Sequence, residues 1–200
     1  MKEARSNNEV MVVGTIMGEF KCISDTEKTY ATSISIERKS GVKDIIPVRT
    51  TENELSHEML DKGIIGQKVK IQGELRSAMK LGEDNKKHLR IYIHPNEFEL
   101  VHPYTEDISK VFLRGYICKP TIYRKTLRGK EITDIFIATH RVAGESDYIP
   151  CIAWYRNARW SAYLSVGDNV KIEGQIQSRE YLKDLDTRIV YEVSVFDIRK

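Results

Sequence analysis

The sequence predicts an all-β protein built from two tandem small barrels, and three observations predict it. The 200-residue chain repeats itself once at a nearly constant spacing. Each copy is dominated by short segments rich in β-branched and aromatic residues, several alternating with period two. Each copy also carries one helix-like stretch at the same place among its strands.

The repeat is read directly from the residues. Gly66-Gln-Lys-Val-Lys-Ile-Gln-Gly-Glu-Leu-Arg-Ser aligns with Gly167-Asp-Asn-Val-Lys-Ile-Glu-Gly-Gln-Ile-Gln-Ser at an offset of 101. Val10-x-x-x-Gly14-x-Ile16 and Val111-x-x-x-Gly115-x-Ile117 keep that offset. Asp44-x-Ile46-Pro47 matches Asp147-x-Ile149-Pro150 at 103, and Arg90-Ile91 with Phe98 matches Arg188-Ile189 with Phe196 at 98. Four blocks in one order, with offsets that drift by two or three residues, describe a duplicated domain with small loop changes. A repeat of about 95 residues is a whole domain, not a solenoid unit of ~20–50. The first domain is therefore placed at residues 1–101 and the second at 108–200. The linker, 102–107, begins His102-Pro103-Tyr104, where Pro and polar residues break the pattern.

In the first copy, strands are expected at Val10-Met-Val-Val, at Tyr30-Ala-Thr-Ser-Ile-Ser-Ile and around Ile46-Pro47. A helix follows over Glu52–Asp61, with Leu55, Met59 and Leu60 on one side and Gly63 as its stop, then the Gly66 strand and a last strand through Arg90-Ile91. The second copy repeats the order. Strands fall at Val111-Phe-Leu-Arg-Gly-Tyr-Ile, Thr133-Asp-Ile-Phe-Ile-Ala-Thr and Pro150, a helix at about Arg156–Leu164, and two further strands after Gly167. Three strands, a helix and two strands make a five-stranded Greek-key barrel of the OB-fold type, whose single helix sits between strands three and four. A β-sandwich, the alternative, usually lacks that helix.

Composition excludes several classes. At 40% hydrophobic and 30% charged residues the chain is globular rather than disordered. Its longest apolar runs fall far short of the ~18 residues of a membrane span. MKEARSNNEV has no apolar core, so no secretory signal is expected. Three cysteines, Cys22, Cys118 and Cys151, form no CxxC pair, which suggests a reduced cytosolic setting and mostly buried thiols. The net charge of +3 arises wholly after residue 100, where 16 basic residues meet 13 acidic ones. Of the 17 aromatics, 13 lie after residue 101, so the halves differ in surface chemistry.

No catalytic set emerges. The five histidines show no HExxH or metal-ligand spacing, and the chain lacks GxxxxGK[ST], GxGxxG and GxSxG. His57-Glu58 reads as a solvated helix face, and Asp184 and Asp186 as a hairpin tip. No enzyme activity, metal or cofactor is expected. What stands out is the run from Lys119 to Lys130, with Lys119, Arg124, Lys125, Arg128 and Lys130, no acidic residue, and Tyr123. A basic hairpin holding a flat ring suits single-stranded nucleic acid, because cations meet phosphates while the ring stacks on an unpaired base. The bland alternative is a solvated surface hairpin. The matching first-copy stretch, Glu19-Phe-Lys-Cys-Ile-Ser-Asp-Thr-Glu-Lys, mixes both signs, which favours function in copy two.

Asp147-Tyr-Ile-Pro-Cys-Ile-Ala-Trp154-Tyr-Arg156-Asn-Ala, followed by Leu164-x-Val-Gly167-Asp-x-Val-x-Ile-x-Gly174-x-Ile-Gln-Ser-Arg179-Glu-Tyr181, closely resembles the bacterial single-stranded DNA-binding protein (SSB) family. The resemblance covers most of residues 109–198 and is faint in the first copy. It implies sequence-tolerant binding of single-stranded DNA, protecting it in replication, recombination or repair, in the bacterial cytoplasm with the nucleoid. Carried over by motif, the base-stacking rings are Tyr148, Trp154 and Tyr181, with Arg114, Arg141, Arg156 and Arg179 near enough to neutralise phosphates. Tyr148 and Trp154 are six apart and share one face of a regular strand. Trp160 and Tyr163 are expected in a core or an interface, and Cys151 as a buried thiol.

The same offsets put Ile45, Thr51 and Lys80 where copy two has Tyr148, Trp154 and Tyr181. Copy two is thus expected to carry most of the DNA affinity, with copy one serving assembly or adding phosphate contacts through Arg38, Lys39, Lys43 and Lys80. Four barrels per assembly, common in the family, imply a homodimer. The chain runs off its last strand at Phe196-Asp-Ile-Arg199-Lys200, so an acidic recruiting tail is expected to be absent. No membrane association is expected. A protein-interaction scaffold of primosome type, with weak nucleic-acid binding, is the alternative reading.

Overall fold

A computed structural model describes residues 7–81, 85, 87–141, 144–183 and 186–200, with the side chains of 80, 81, 181–183 and 186–188 outside that description. The chain forms two compact units. Among the described residues, one comprises those of Val10–Arg76 and Ile91–Lys110; the other comprises those of Ser77–Arg90 and Val111–Lys200, together with residues 7–9.

The first repeat contributes β1 (Asn8–Ile16), β2 (Lys21–Ser24), β3 (Thr29–Glu37), β4 (Lys43–Thr51), α1 (His57–Leu60), β5 (Lys68–Leu81) and β6 (Lys87–Leu100). β1 pairs antiparallel with β3 on one side and β5 on the other, β3 with β4, and β4 runs parallel to β6 with Val48 opposite Ile93. β6 returns to β5, which closes the barrel. Inward positions of the alternating strands, among them Val12, Ile34, Ile46, Val48, Val69, Ile71 and Ile93, are fully buried.

The second repeat contributes β7 (Ile108–Ile117), β8 (Ile122–Lys125), β9 (Glu131–His140), β10 (Ser146–Trp154), α2 (Tyr155–Ser161), β11 (Asn169–Lys183) and β12 (Asp186–Arg199). Its pairings copy those of the first repeat: β7 joins β9 and β11, β9 joins β10, and β10 runs parallel to β12 with Cys151 opposite Val193. Both repeats are thus OB-folds, with the helix between the third and fourth barrel strands as expected. The repeated glycines mark where barrel strands press together. A Cβ on Gly115 would lie 2.2 Å from the Ala138 carbonyl oxygen, and one on Gly174 would lie 2.3 Å from that of Ser194. Their counterparts Gly14 and Gly73 are equally blocked, so the motif keeps residues without side chains there.

Three expectations are corrected. The first helix is not continuous over Glu52–Asp61 but breaks into a 3₁₀ turn at Glu52–Glu54, the single turn α1 and a second 3₁₀ turn at Lys62–Ile64. Capping residues recur too often for one helix. Glu54 accepts from the Thr51 backbone, Ser56 Oγ accepts from the Met59 N–H, and Asp61 Oδ1 accepts from the Gly63 N–H. Of the proposed apolar side only Met59 is buried, while Leu60 is exposed. Trp160 and Tyr163 are not in the core of their barrel: α2 turns Ala158 and Ser161 inward and leaves both rings exposed. Of the three thiols only Cys151 is buried; Cys118 is half-buried and Cys22 exposed.

Candidate nucleic-acid interface

β10 alternates in part: its inward positions are all buried, and of the outward ones Ile152 is buried as well. Asp147, Ile149, Cys151 and Ala153 point inward and are buried. Tyr148 and Trp154 take the outward positions, Tyr148 46% exposed and Trp154 half-buried. Directly opposed residues of neighbouring strands share a face. Ala138 lies opposite Tyr148, Phe136 opposite Pro150 and Ile132 opposite Trp154. Ala138 is in turn opposite Tyr116 of β7, whose exposed ring lies 6.1 Å from the His140 ring. The outer face of β7, β9 and β10 therefore carries four rings, Tyr116, Phe136, Tyr148 and Trp154. Tyr116 and Phe136 were not foreseen, because each reads as an ordinary strand residue until the register sets it beside Tyr148.

Two lysines sit over these rings. Lys119 Nζ is 4.5 Å from the centre of the Phe136 ring, and Lys130 Nζ is 5.9 Å from that of Trp154. The Trp154 indole N–H donates to Ser194 Oγ on β12 at 3.1 Å, fixing the ring plane. Such rings offer π-faces, and the ammonium groups over two of them offer positive charge.

The basic hairpin is only partly available. β8 is exposed along its whole length and pairs with β9. Arg124 donates twice to Asp134, at 2.9 and 3.2 Å. Tyr123 donates to Glu131 at 2.9 Å, and Glu131 also accepts from Arg159 at 2.7 Å. The Arg159 bond, with the Tyr123 bond behind it, holds the Glu131 carboxyl below its ordinary pKa. Desolvation first, and then Glu131, push the Tyr123 phenol above its own. Register places Tyr123 opposite Thr133, on the other face of the sheet from Phe136 and Trp154. Lys125, Arg128 and Lys130 are exposed.

The other predicted arginines divide in the same way. Arg114 and Arg156 are exposed, Arg114 reaching Asn169 at 3.5 Å. Arg179 pairs with Glu192, itself buried, at 3.2 Å. Arg141 donates to both oxygens of the fully buried Asp147, each at 2.7 Å. Copy one repeats that last pair: Arg38 donates to both oxygens of buried Asp44, each at 2.6 Å. A pair kept in both copies reads as part of the barrel. Asp147 also accepts from the Ser77 N–H at 2.7 Å, and Ser77 Oγ accepts from the Tyr148 N–H at 2.9 Å, so the backbone under Tyr148 is held from two sides. Tyr181 lies in β11 opposite Arg188, two residues beyond Arg179, but its side chain is outside the described residues.

Register also assigns copy one's equivalents. Thr15, Ser33, Ile45 and Thr51 occupy the places of Tyr116, Phe136, Tyr148 and Trp154, so that face carries no ring at these positions. Lys80, expected to add a phosphate contact there, has a side chain outside the described residues. Among the described residues no group of three or more His, Cys, Asp or Glu is placed to hold a metal ion. Among them, too, no helix is long and apolar enough to cross a membrane.

The wild-type single-stranded DNA binding protein from Thermus aquaticus has a similar fold, with a TM-score of 0.73 at 18% identity, covering 98% of this chain and 94% of that one. A deletion mutant of the same protein matches at 0.73 and 16% identity, covering 98% and 95%. These likenesses extend the tandem OB-fold to the whole chain. No protein of curated function matches the sequence. The single-strand binding protein family model matches residues 108–199, the stretch that folds into the ring-bearing barrel. Over residues 108–199, then, this chain is similar to the single-strand binding protein family.

Proposed function

We propose that this protein binds single-stranded DNA, without sequence preference, on the outer face of its second barrel. The observation that carries the reading is the four-ring face of β7, β9 and β10 with lysines over two of its rings. Every base has a π-face, so stacking at about 1–3 kcal/mol per base tolerates any sequence. Tyr148 and Trp154 stack bases, Tyr116 and Phe136 extend their row, and Tyr181 is the remaining candidate. Lys125, Arg128, Lys130, Arg114 and Arg156 neutralise phosphates. Arg124, Arg141 and Arg179, each engaged by a carboxylate, position the strands beneath. Tyr123 orders β8 through Glu131. The activity is binding without chemistry, in keeping with a family of binding proteins, and its cellular use is to cover exposed single strands during replication, recombination or repair. A homodimer, bringing four barrels together, is the assembly proposed.

Titration with oligo-dT tests this. Both tryptophans lie in the second repeat, so their emission should quench on binding. Affinity should fall with salt by roughly 0.7 in log K per log salt for each phosphate neutralised. An absence of both quenching and salt dependence would overturn the reading in favour of a protein-binding scaffold. Magnesium-dependent cleavage of the oligonucleotide would overturn it in favour of an enzyme.

A further inference from the structure

Tyr155 holds a backbone that side chains avoid. Its φ is +50°, in the left-handed region where Cβ crowds the carbonyl and glycine is at home. Among the described residues Lys28 and Asn85 share a positive φ, but both sit between paired strands of a hairpin. Tyr155 instead opens α2, directly after Trp154 at the end of β10. Burial does not offset the strain, because the residue is 52% exposed. Strain kept at an exposed aromatic points to a use for the ring.

A second exposed ring stands nearby. Phe196, 59% exposed, occupies the place on β12 where its register with β11 shifts. Two hydrogen bonds tie this part of β12 to the β10–α2 junction: Trp154 Nε1 donates to Ser194 Oγ at 3.1 Å, and Asn157 Nδ2 donates to the Phe196 carbonyl at 2.8 Å. Tyr155 and exposed Arg156 lie between the two ties on one strand of chain, and Phe196 lies at the end of the other.

We propose that Tyr155, Phe196 and Arg156 form a further nucleotide subsite, continuing the single-strand track past Trp154. Tyr155 and Phe196 supply ring faces to one or two bases, and Arg156 meets the phosphate between them and Trp154. Direct continuity with Trp154 and the adjoining cation favour a stacked polynucleotide over a protein partner. The inference rests on the single-stranded DNA reading of the β7–β9–β10 face.

The test uses the full chain and a series of oligo-dT lengths. Tyr155→Gly removes the ring and the strain together, so its unfolding midpoint should equal or exceed that of the wild type. Its affinity for long oligonucleotides should fall by roughly five- to a hundredfold, the stacking range. Oligonucleotides too short to pass Trp154 should bind as before. Phe196→Ala should show the same length-dependent loss, and Tyr155→Phe should bind like wild type. Arg156→Gln should reduce the salt slope by about 0.7. If the wild type binds and both ring variants bind every length equally well, the subsite is wrong and the main reading stands. If the wild type does not bind, both fall. A changed particle mass with unchanged affinity would assign the rings to self-association and overturn the proposal.

Discussion

Trp154 is engaged on two sides: its indole N–H is bonded to Ser194 and its ring faces Lys130. A half-buried ring has less to lose on truncation than a core one. Trp154→Ala should cost less stability than the ~3–5 kcal/mol of a fully buried large aromatic, while oligo-dT binding weakens by about 1–3 kcal/mol. Denaturant unfolding and fluorescence titration of that one variant measure both. Arg141→Ala should behave in the opposite way. It leaves the Asp147 carboxylate buried beside only the Ser77 donor, so stability should drop toward the ~3–5 kcal/mol of a broken buried pair, with the salt dependence of binding unchanged. Thiol alkylation offers a third check at this scale. Exposed Cys22 should react first in the native protein, and Cys151 only on unfolding, since burial, with Glu192 behind it, pushes that thiol far up. Tyr148 and Trp154 were legible through the motif shared with the SSB family, and their even spacing on one strand gave them a shared face. Tyr116 and Phe136 were not, because their place in the row depends on pairings between strands. The acidic partners of Arg124 and Arg141 were hidden for the same reason: Asp134 and Asp147 follow them by ten and six residues and meet them only through the fold.

Among the elements, the hairpin of β8 and its turn into β9 carries most of the cations that remain available. Neutralising Lys125, Arg128 and Lys130 together, each to Gln, should lower the salt slope of oligo-dT binding by about 2, three times the single-strand increment. The fold should hold, since β8 is an outer strand paired only with β9. Strand order, and the position of the helix within it, were legible from block spacing and alternation. The break-up of the first helix was not, although its causes, Thr51, Ser56 and Asp61, are plain in the sequence. Local hydrogen bonds from such residues compete with helix propagation, and a short apolar pattern of three residues does not outweigh them.

For the whole molecule, the duplication makes one barrel the reference for the other. Pairing register, blocked glycines and the buried Arg–Asp pair recur in both, whereas the rings occur only in the second. Neutralising Lys39 and Lys43 of the first repeat should therefore change oligo-dT affinity less than neutralising Arg128 and Lys130 of the β8–β9 hairpin, as titration at fixed salt would reveal. Light scattering should return a particle of twice the 23.1 kDa chain; a monomer across micromolar concentrations would remove the homodimer from the proposal.

The doubled Arg38–Asp44 and Arg141–Asp147 pairs supply a ruler for grafting. Because each clamp fixes the start of the strand that bears Ile45 or Tyr148, the two strands begin from the same anchored point. Transplanting tyrosine onto position 45 and tryptophan onto position 51 would then set new rings on a ready-made frame, and a gain of ligand capacity in the quieter barrel would show how few side chains separate a spectator from a binder.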